Sequence, residues 1–130
     1  KYKEITDKTP AESSAEIKKR VERARQIQKE RFKDDKGVYC NAQMNERMVA
    51  TYCALGEEET AVLKQAFDSL GLSARAHNRI LKVARTIADL DMKEKIEYVH
   101  IAEAIQYRSL DRKFRMLKMQ TQQKKQLLME

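Results

Sequence analysis

The stretch from about Ala74 to Leu90 is the most apolar helical pattern in this sequence. Its apolar side chains recur at helical spacing and form one wide stripe: Ala76, Ile80, Leu81, Ala84, Ile87 and Ala88, with Val83 beside it. No strand-like alternation of useful length occurs, and 3 glycines and 1 proline are few for a sheet with tight turns. The sequence therefore predicts an all-α fold, a single helical bundle of five or six helices.

Capping residues mark where the earlier helices begin. Ser13 and Glu16 have the spacing of a capping box, which predicts a helix to about Phe32. Asn45 predicts a short helix that ends near Cys53. One face of the long first helix is marked by Ile17, Val21, Ala24 and Gln28, with Ile27 and Phe32 beside it.

The third and fifth helices are predicted from glycines and apolar spacing. Gly56 and the acidic residues 57–59 open a helix that Gly71 ends. Its expected buried stripe is Val62, Leu63, Ala66, Phe67 and Leu70. After a polar connection, an extended entry leads into a helix whose expected stripe is Val99, Ala102, Ile105 and Gln106.

The predicted organisation has three parts. Residues 1–12 are an extended lead-in, residues 13–113 form the helical domain, and residues 114–130 form a variable C-terminal helix or tail. The pattern over residues 109–130 is weakly helical, so we expect a helix that frays or protrudes.

Charge and composition limit the partners. The net charge of +7 suits an anionic partner, but it also serves solubility. No segment approaches the roughly 20 apolar residues of a membrane span, and the first ten residues lack the apolar core of a signal peptide. We therefore expect a cytoplasmic protein with no membrane partner, in which Cys40 and Cys53 are reduced, buried thiols.

Motifs for catalysis by the chain itself are absent. The sequence contains no GxxxxGK[ST] phosphate loop, no GxGxxG and no GxSxG. His77 and His100 do not form an HxxxH pair, and the two cysteines do not form CxxC. We therefore expect surface or core-edge histidines, no metal site and no catalytic residues in this chain.

Arg75 is the residue that the helical pattern does not explain. With Ser73 as N-cap, Arg75 falls in the first turn of its helix, where the macrodipole disfavours a cation by roughly 0.3–1 kcal/mol. One interpretation is an exposed arginine whose small cost is tolerated. The other is an anion site, because free N–H groups and a guanidinium together attract phosphate.

Several separated motifs resemble the C-terminal region of the magnesium-chelatase-like AAA+ proteins, the YifB/ComM competence-related group. They are "ESSAEI", "NAQM", "GLSARAHNRILKVARTIADL" and "HIAEAIQYRSLDRK", in that order, between about Glu12 and Lys113. In such proteins this region is the helical lid that follows the ATPase core. The resemblance places the "sensor 2" arginine, which reaches the γ-phosphate of ATP, at Arg75 within "LSAR"; Arg79 is the second candidate and Ser73 is the helix cap.

The resemblance also implies the rest of a longer protein. It implies an AAA+ core in the same polypeptide that binds ATP and Mg²⁺, a Lon-protease-like domain upstream, a hexameric homo-oligomer, and ATP-driven work on DNA. Because the phosphate loop is missing from this chain, we expect no cofactor on the isolated chain and no ATP hydrolysis by it.

Two other functions remain open from the residues alone. A nucleic-acid-binding helical module would suit the basic charge, but the bases are interleaved with acids and aromatic residues make up only 6%. A protein-interaction bundle would use the C-terminal helix as its contact. A phosphate-loop motif upstream would favour the lid, and a salt-dependent DNA titration would test the nucleic-acid module.

Overall fold

The structure, a computed structural model, describes residues 12–108 and Leu128. We number its α-helices in chain order: α1 Ser14–Arg31, α2 Glu46–Tyr52, α3 Glu57–Leu70, α4 Ala74–Leu90, and α5 over residues 98–108, with a 3₁₀ helix Asn41–Gln43 before α2. No residue from 12 to 108 lies in a β-strand. The prediction of an all-α bundle is confirmed. The lead-in and the C-terminal tail, Glu12 and Leu128 apart, lie outside the described residues.

The helices begin where their caps predict. Ser13, Asn45 and Ser73 each accept a hydrogen bond from the backbone N–H three residues later, at 3.2, 2.9 and 3.2 Å. Gly71 ends α3 in the left-handed conformation, with φ of 62°, which glycine adopts without a Cβ clash. A turn of three residues therefore separates α3 from α4 and directs the start of α4.

Helix α4 is the centre of the bundle. It packs against α1, α2 and the 3₁₀ helix, and its apolar stripe faces inward because the neighbouring helices cover it. The buried apolar core comprises Ala24, Phe32, Met44, Val49, Cys53, Leu63, Leu72, Ala76, Ile80, Leu81, Ala84, Ala88, Ile96, Ile101 and Ala104.

Two predicted stripes need correction. In α3 only Leu63 is fully buried, and Leu70, the last residue, is 44% exposed. In α5 the buried residues are His100, Ile101 and Ala104. Val99 is 52% exposed and Gln106 is exposed, so the predicted face was wrong by about one residue.

The orientation of α5 follows from the hydrogen bonds of His100. Its Nδ1 accepts the backbone N–H of Glu97 at 2.9 Å, and its Nε2 lies 2.9 Å from Asp91 Oδ2. A backbone N–H only donates, so Nε2 carries the ring proton and donates it to Asp91. With both ring nitrogens paired, this polar side chain is buried at little cost and the face that it belongs to turns inward.

Candidate functional site

The N-terminus of α4 presents backbone donors to the surface. The first N–H groups of a helix have no partner within it. The N–H of Ala76 is bound by Ser73 Oγ and that of His77 by the Ser73 carbonyl. The N–H groups of Ala74 and Arg75 precede them in this first turn, so this end of α4 carries a local positive potential.

A basic groove of about 630 Å³ lies beside this helix start. One wall is the face of α4 that carries Arg75, Arg79 and Lys82, and the opposite wall carries Ala42 of the 3₁₀ helix and Glu46 of α2. The groove thus brings together the two arginines singled out from the sequence and adds Lys82. Its three cations face a single carboxylate.

The cations of this groove differ in how they are held. Arg75 and Arg79 are exposed, and within residues 12–108 neither makes an ion pair. Lys82 is half-buried, and its Nζ donates to the Ala42 carbonyl at 3.3 Å. The guanidinium groups are therefore available to an anion, and the ammonium is already directed at the opposite wall.

A buried charged cluster of Arg31, Arg85 and Asp89 was not predicted. Both guanidinium NH groups of Arg31 donate to Asp89, at 2.8 and 2.6 Å, and Arg85 Nε donates to the same carboxylate at 3.2 Å. The side chain of Asp89 is 0% exposed. One signal was present in the sequence: Arg85 and Asp89 are an oppositely charged i, i+4 pair within the apolar stripe of α4.

Arg85 also fixes the loop after α4. Its Nη1 and Nη2 donate to the carbonyls of Glu94 and Lys93 at 2.8 and 2.7 Å. Burial lowers the pKa of Arg85, and the adjacent Asp89 carboxylate opposes that change. All three guanidinium nitrogens donate, to one carboxylate and two carbonyls, so Arg85 is a structural arginine.

Three side chains around His100 have the donor atoms of a metal site. Ligand atoms of Asp91, Glu97 and His100 lie within 4.8 Å of one another. A metal on Nε2 would need the ring proton on Nδ1, where it would face the Glu97 N–H. The geometry suits a hydrogen-bonded helix start, the second half of a capping box, with histidine at the third helical position. His100 is 1% exposed, so the expectation of a surface or core-edge residue was wrong for it.

His77 and the two cysteines are the other side chains singled out from the sequence. His77 is half-buried, and its ring packs edge-on against the ring of Phe67, with the ring centroids 6.0 Å apart. Cys40 and Cys53 are both free thiols, and Cys53 is buried whereas Cys40 is only half-buried. Burial raises the pKa of Cys53 to about 11, which keeps it protonated and unreactive at neutral pH.

The described helices offer no membrane-spanning segment, because none is both long and apolar enough. Of the exposed apolar side chains, Ile17, Met92 and Val99 line one groove. Tyr39 and Tyr107 are the most exposed within residues 12–108, at 76% and 64%.

Comparison with known proteins identifies the family. The family model described as magnesium chelatase, subunit ChlI C-terminal, matches residues 11–108. The uncharacterized protein YifB of Salmonella typhimurium is 43% identical over 101 residues, and the competence protein ComM of Haemophilus influenzae is 41% identical over 101 residues; each match covers 78% of this chain and 19% of the relative. YifB of Escherichia coli is 43% identical over 103 residues, 79% of this chain and 19% of the relative. The chain thus spans about a fifth of the length of these relatives, and it belongs to the magnesium-chelatase C-terminal family, as the helical lid of the YifB/ComM type.

Proposed function

We propose that this domain closes over ATP bound by an AAA+ core of the same polypeptide, and that Arg75 is the residue that contacts the γ-phosphate. The observation that carries the proposal is the exposed Arg75 guanidinium at the N-terminus of α4, in a groove with Arg79 and Lys82. A helix start and a guanidinium both favour an anion, and together they suit the terminal phosphate of a nucleotide.

The groove fits the phosphates better than the metal ion. Its lining includes three cations but only one carboxylate, Glu46. Mg²⁺ prefers several oxygen ligands in near-octahedral geometry. We therefore assign phosphate binding to Arg75, Arg79 and Lys82, and the binding of Mg²⁺ to residues of the core. ATP supplies the transferable phosphoryl group, and this chain's part is to hold and neutralise its charge.

Loss of the γ-phosphate would release the lid. Arg75 would bind more strongly to the triphosphate than to the diphosphate, so the angle between lid and core would follow the nucleotide state. The isolated chain would not hydrolyse ATP, since its 130 residues contain no phosphate loop.

The parent protein is proposed to be a cytoplasmic, ring-forming homo-oligomer, a hexamer, that uses ATP to process DNA. The support is family membership together with the name of one relative, a competence protein. The basic net charge of +7 is compatible with a DNA partner.

The test is ATP turnover by the full-length protein. Arg75→Ala should lower kcat by about tenfold or more, as loss of an arginine that serves phosphoryl transfer commonly does. Arg75→Lys should restore little, because an ammonium lacks the two-pronged guanidinium geometry. Arg25→Ala, which removes an exposed arginine of α1, is the matched control and should leave kcat unchanged. Wild-type turnover in Arg75→Ala would refute the proposal.

A further inference from the structure

The wall of the basic groove opposite the arginines is built on an irregular segment. Ala42 belongs to a 3₁₀ helix of three residues, and this helix has no side-chain cap at its start. Such a short turn does not hold its own position. Contacts with the rest of the bundle must therefore set the distance between Ala42 and the face of α4.

Asn41 provides those contacts. This side chain is 1% exposed. Its Oδ1 accepts from Arg31 Nη1 at 2.8 Å, and its Nδ2 donates to Asp89 Oδ2 at 2.9 Å and to Thr86 Oγ1 at 3.1 Å. Its backbone N–H donates to Gln28 Oε1 at 3.0 Å. One residue thus joins the 3₁₀ helix to both α1 and α4.

The chemistry of these partners fixes the orientation of the Asn41 amide. The Arg31 guanidinium only donates and the Asp89 carboxylate only accepts. Reversing the amide would set N–H against N–H and oxygen against oxygen. Asn41 therefore has one satisfied arrangement, which also places the next residue, Ala42.

The same hydrogen bonds continue to a cation of the groove. Thr86 Oγ1, which accepts from Asn41, donates to the Lys82 carbonyl at 2.9 Å. The Lys82 ammonium donates to the Ala42 carbonyl at 3.3 Å. Lys82 is thus connected to Asn41 both through Thr86 and through Ala42.

We propose that Asn41 is a positioning residue for the basic groove: it holds Ala42 opposite α4 and so keeps the Lys82 ammonium directed across the groove at the site where phosphate binds. This inference rests on the proposed function, and it adds Lys82 as a phosphate-binding residue whose placement depends on Asn41.

A double-mutant cycle in the full-length protein tests this dependence. The measured quantity is the dissociation constant for a non-hydrolysable ATP analogue in the wild type, Asn41→Ala, Lys82→Ala and the double variant. Each single change should raise it about tenfold, which corresponds to one lost charge-assisted hydrogen bond. If Asn41 acts through Lys82, the double variant should bind about as weakly as the weaker single variant.

Independent roles would give a different result. The double variant would then bind about a hundredfold more weakly than the wild type, as the product of two tenfold effects. That result, or an unchanged dissociation constant in either single variant, would overturn the inference. Ile96→Val is the control for general destabilisation, because it trims a buried side chain beyond the other end of α4; it should lower the melting temperature without changing the dissociation constant.

Two further measurements keep the test decisive. If Asn41→Ala does not fold, Asn41→Ser replaces it in the cycle, since the shorter hydroxyl side chain loses the two-sided amide that holds Ala42 but keeps a polar group beside Arg31 and Asp89. Wild-type turnover in Arg75→Ala would mark failure of the proposed function, whereas additive effects of Asn41 and Lys82 with reduced turnover in Arg75→Ala would mark failure of this inference alone.

Discussion

Arg31 and Asp89, 58 positions apart in the chain, form a two-pronged ion pair in which both guanidinium NH groups reach the carboxylate, at 2.8 and 2.6 Å. The pair joins the end of α1 to the end of α4. Arg85 binds the same carboxylate, so two guanidinium groups share one buried anion.

Removing that anion should destabilise the domain strongly. Asp89→Ala would leave Arg31 and Arg85 without their carboxylate in a largely buried place, and we expect a loss of about 3–5 kcal/mol in the free energy of unfolding. Urea unfolding of the 130-residue chain measures it. Asp68→Ala, at an exposed position of α3, is the control and should change stability little. A loss of less than about 1 kcal/mol for Asp89→Ala would contradict the expectation.

The cluster shows why the sequence predicted the helices better than their polar contacts. Ser13, Asn45 and Ser73 act within three residues, so caps can be read locally. The partners of Asp89 lie on three elements, and charged residues at helical spacing usually indicate a solvated face. Their burial depends on long-range packing, which no local pattern reports.

Helix α5 shows a second limit. Apolar residues at 99, 101, 102, 104 and 105 allow two helix orientations that differ by about one residue. The correct one buries His100, which periodicity treats as polar. The hydrogen bonds of His100 to Asp91 and to the Glu97 N–H favour this orientation, and the positions of both partners depend on the turn that follows α4.

The two left-handed positions that follow helices should respond in opposite ways. Gly71 has φ of 62° and an added Cβ would meet nothing within 4 Å, so Gly71→Ala should lose about 1 kcal/mol through backbone strain alone. Met92 follows α4 and has φ of 59°, a left-handed conformation that glycine usually occupies at the end of a helix. The Lys93 N–H donates to the Ala88 carbonyl at 2.8 Å, as in a common helix-ending turn. Met92→Gly should therefore gain up to about 1 kcal/mol.

Thermal and urea unfolding of both variants measure these changes. Met92 is 57% exposed, and Arg23 Nη1 lies 3.2 Å from its sulfur. Met92→Ala keeps the strained backbone and removes that contact, so it serves as the control. Equal losses of stability in Met92→Gly and Met92→Ala would show that the left-handed backbone at Met92 carries no measurable strain.

Cys53 should make stability depend on pH in the alkaline range. Burial raises its pKa from 9.0 to about 11. Because the folded value is the higher one, the contribution to stability is complete below pH 9 and is lost as pH rises towards 11, by up to about 3 kcal/mol. Urea unfolding at several pH values, compared with Cys53→Ala, isolates this part from the lysines and tyrosines. Parallel pH curves for the two proteins would exclude it.

Arg75 should be unfavourable for the stability of the domain that carries it. It lies in the first turn of α4, exposed, and that turn contains no acidic residue. A cation there opposes the helix dipole, so Arg75→Ala should raise the free energy of unfolding of the 130-residue chain by about 0.3–1 kcal/mol, and Arg75→Glu should raise it further. Arg25→Ala, in the middle of α1, lacks the dipole contribution and serves as the control.

Urea unfolding at low ionic strength measures the free energy of unfolding of all three variants, and added salt should reduce the gains because it screens the dipole. If Arg75→Ala instead loses 1 kcal/mol or more, the arginine supports the fold through a contact of its own, and its presence at a helix start no longer requires a phosphate to explain it.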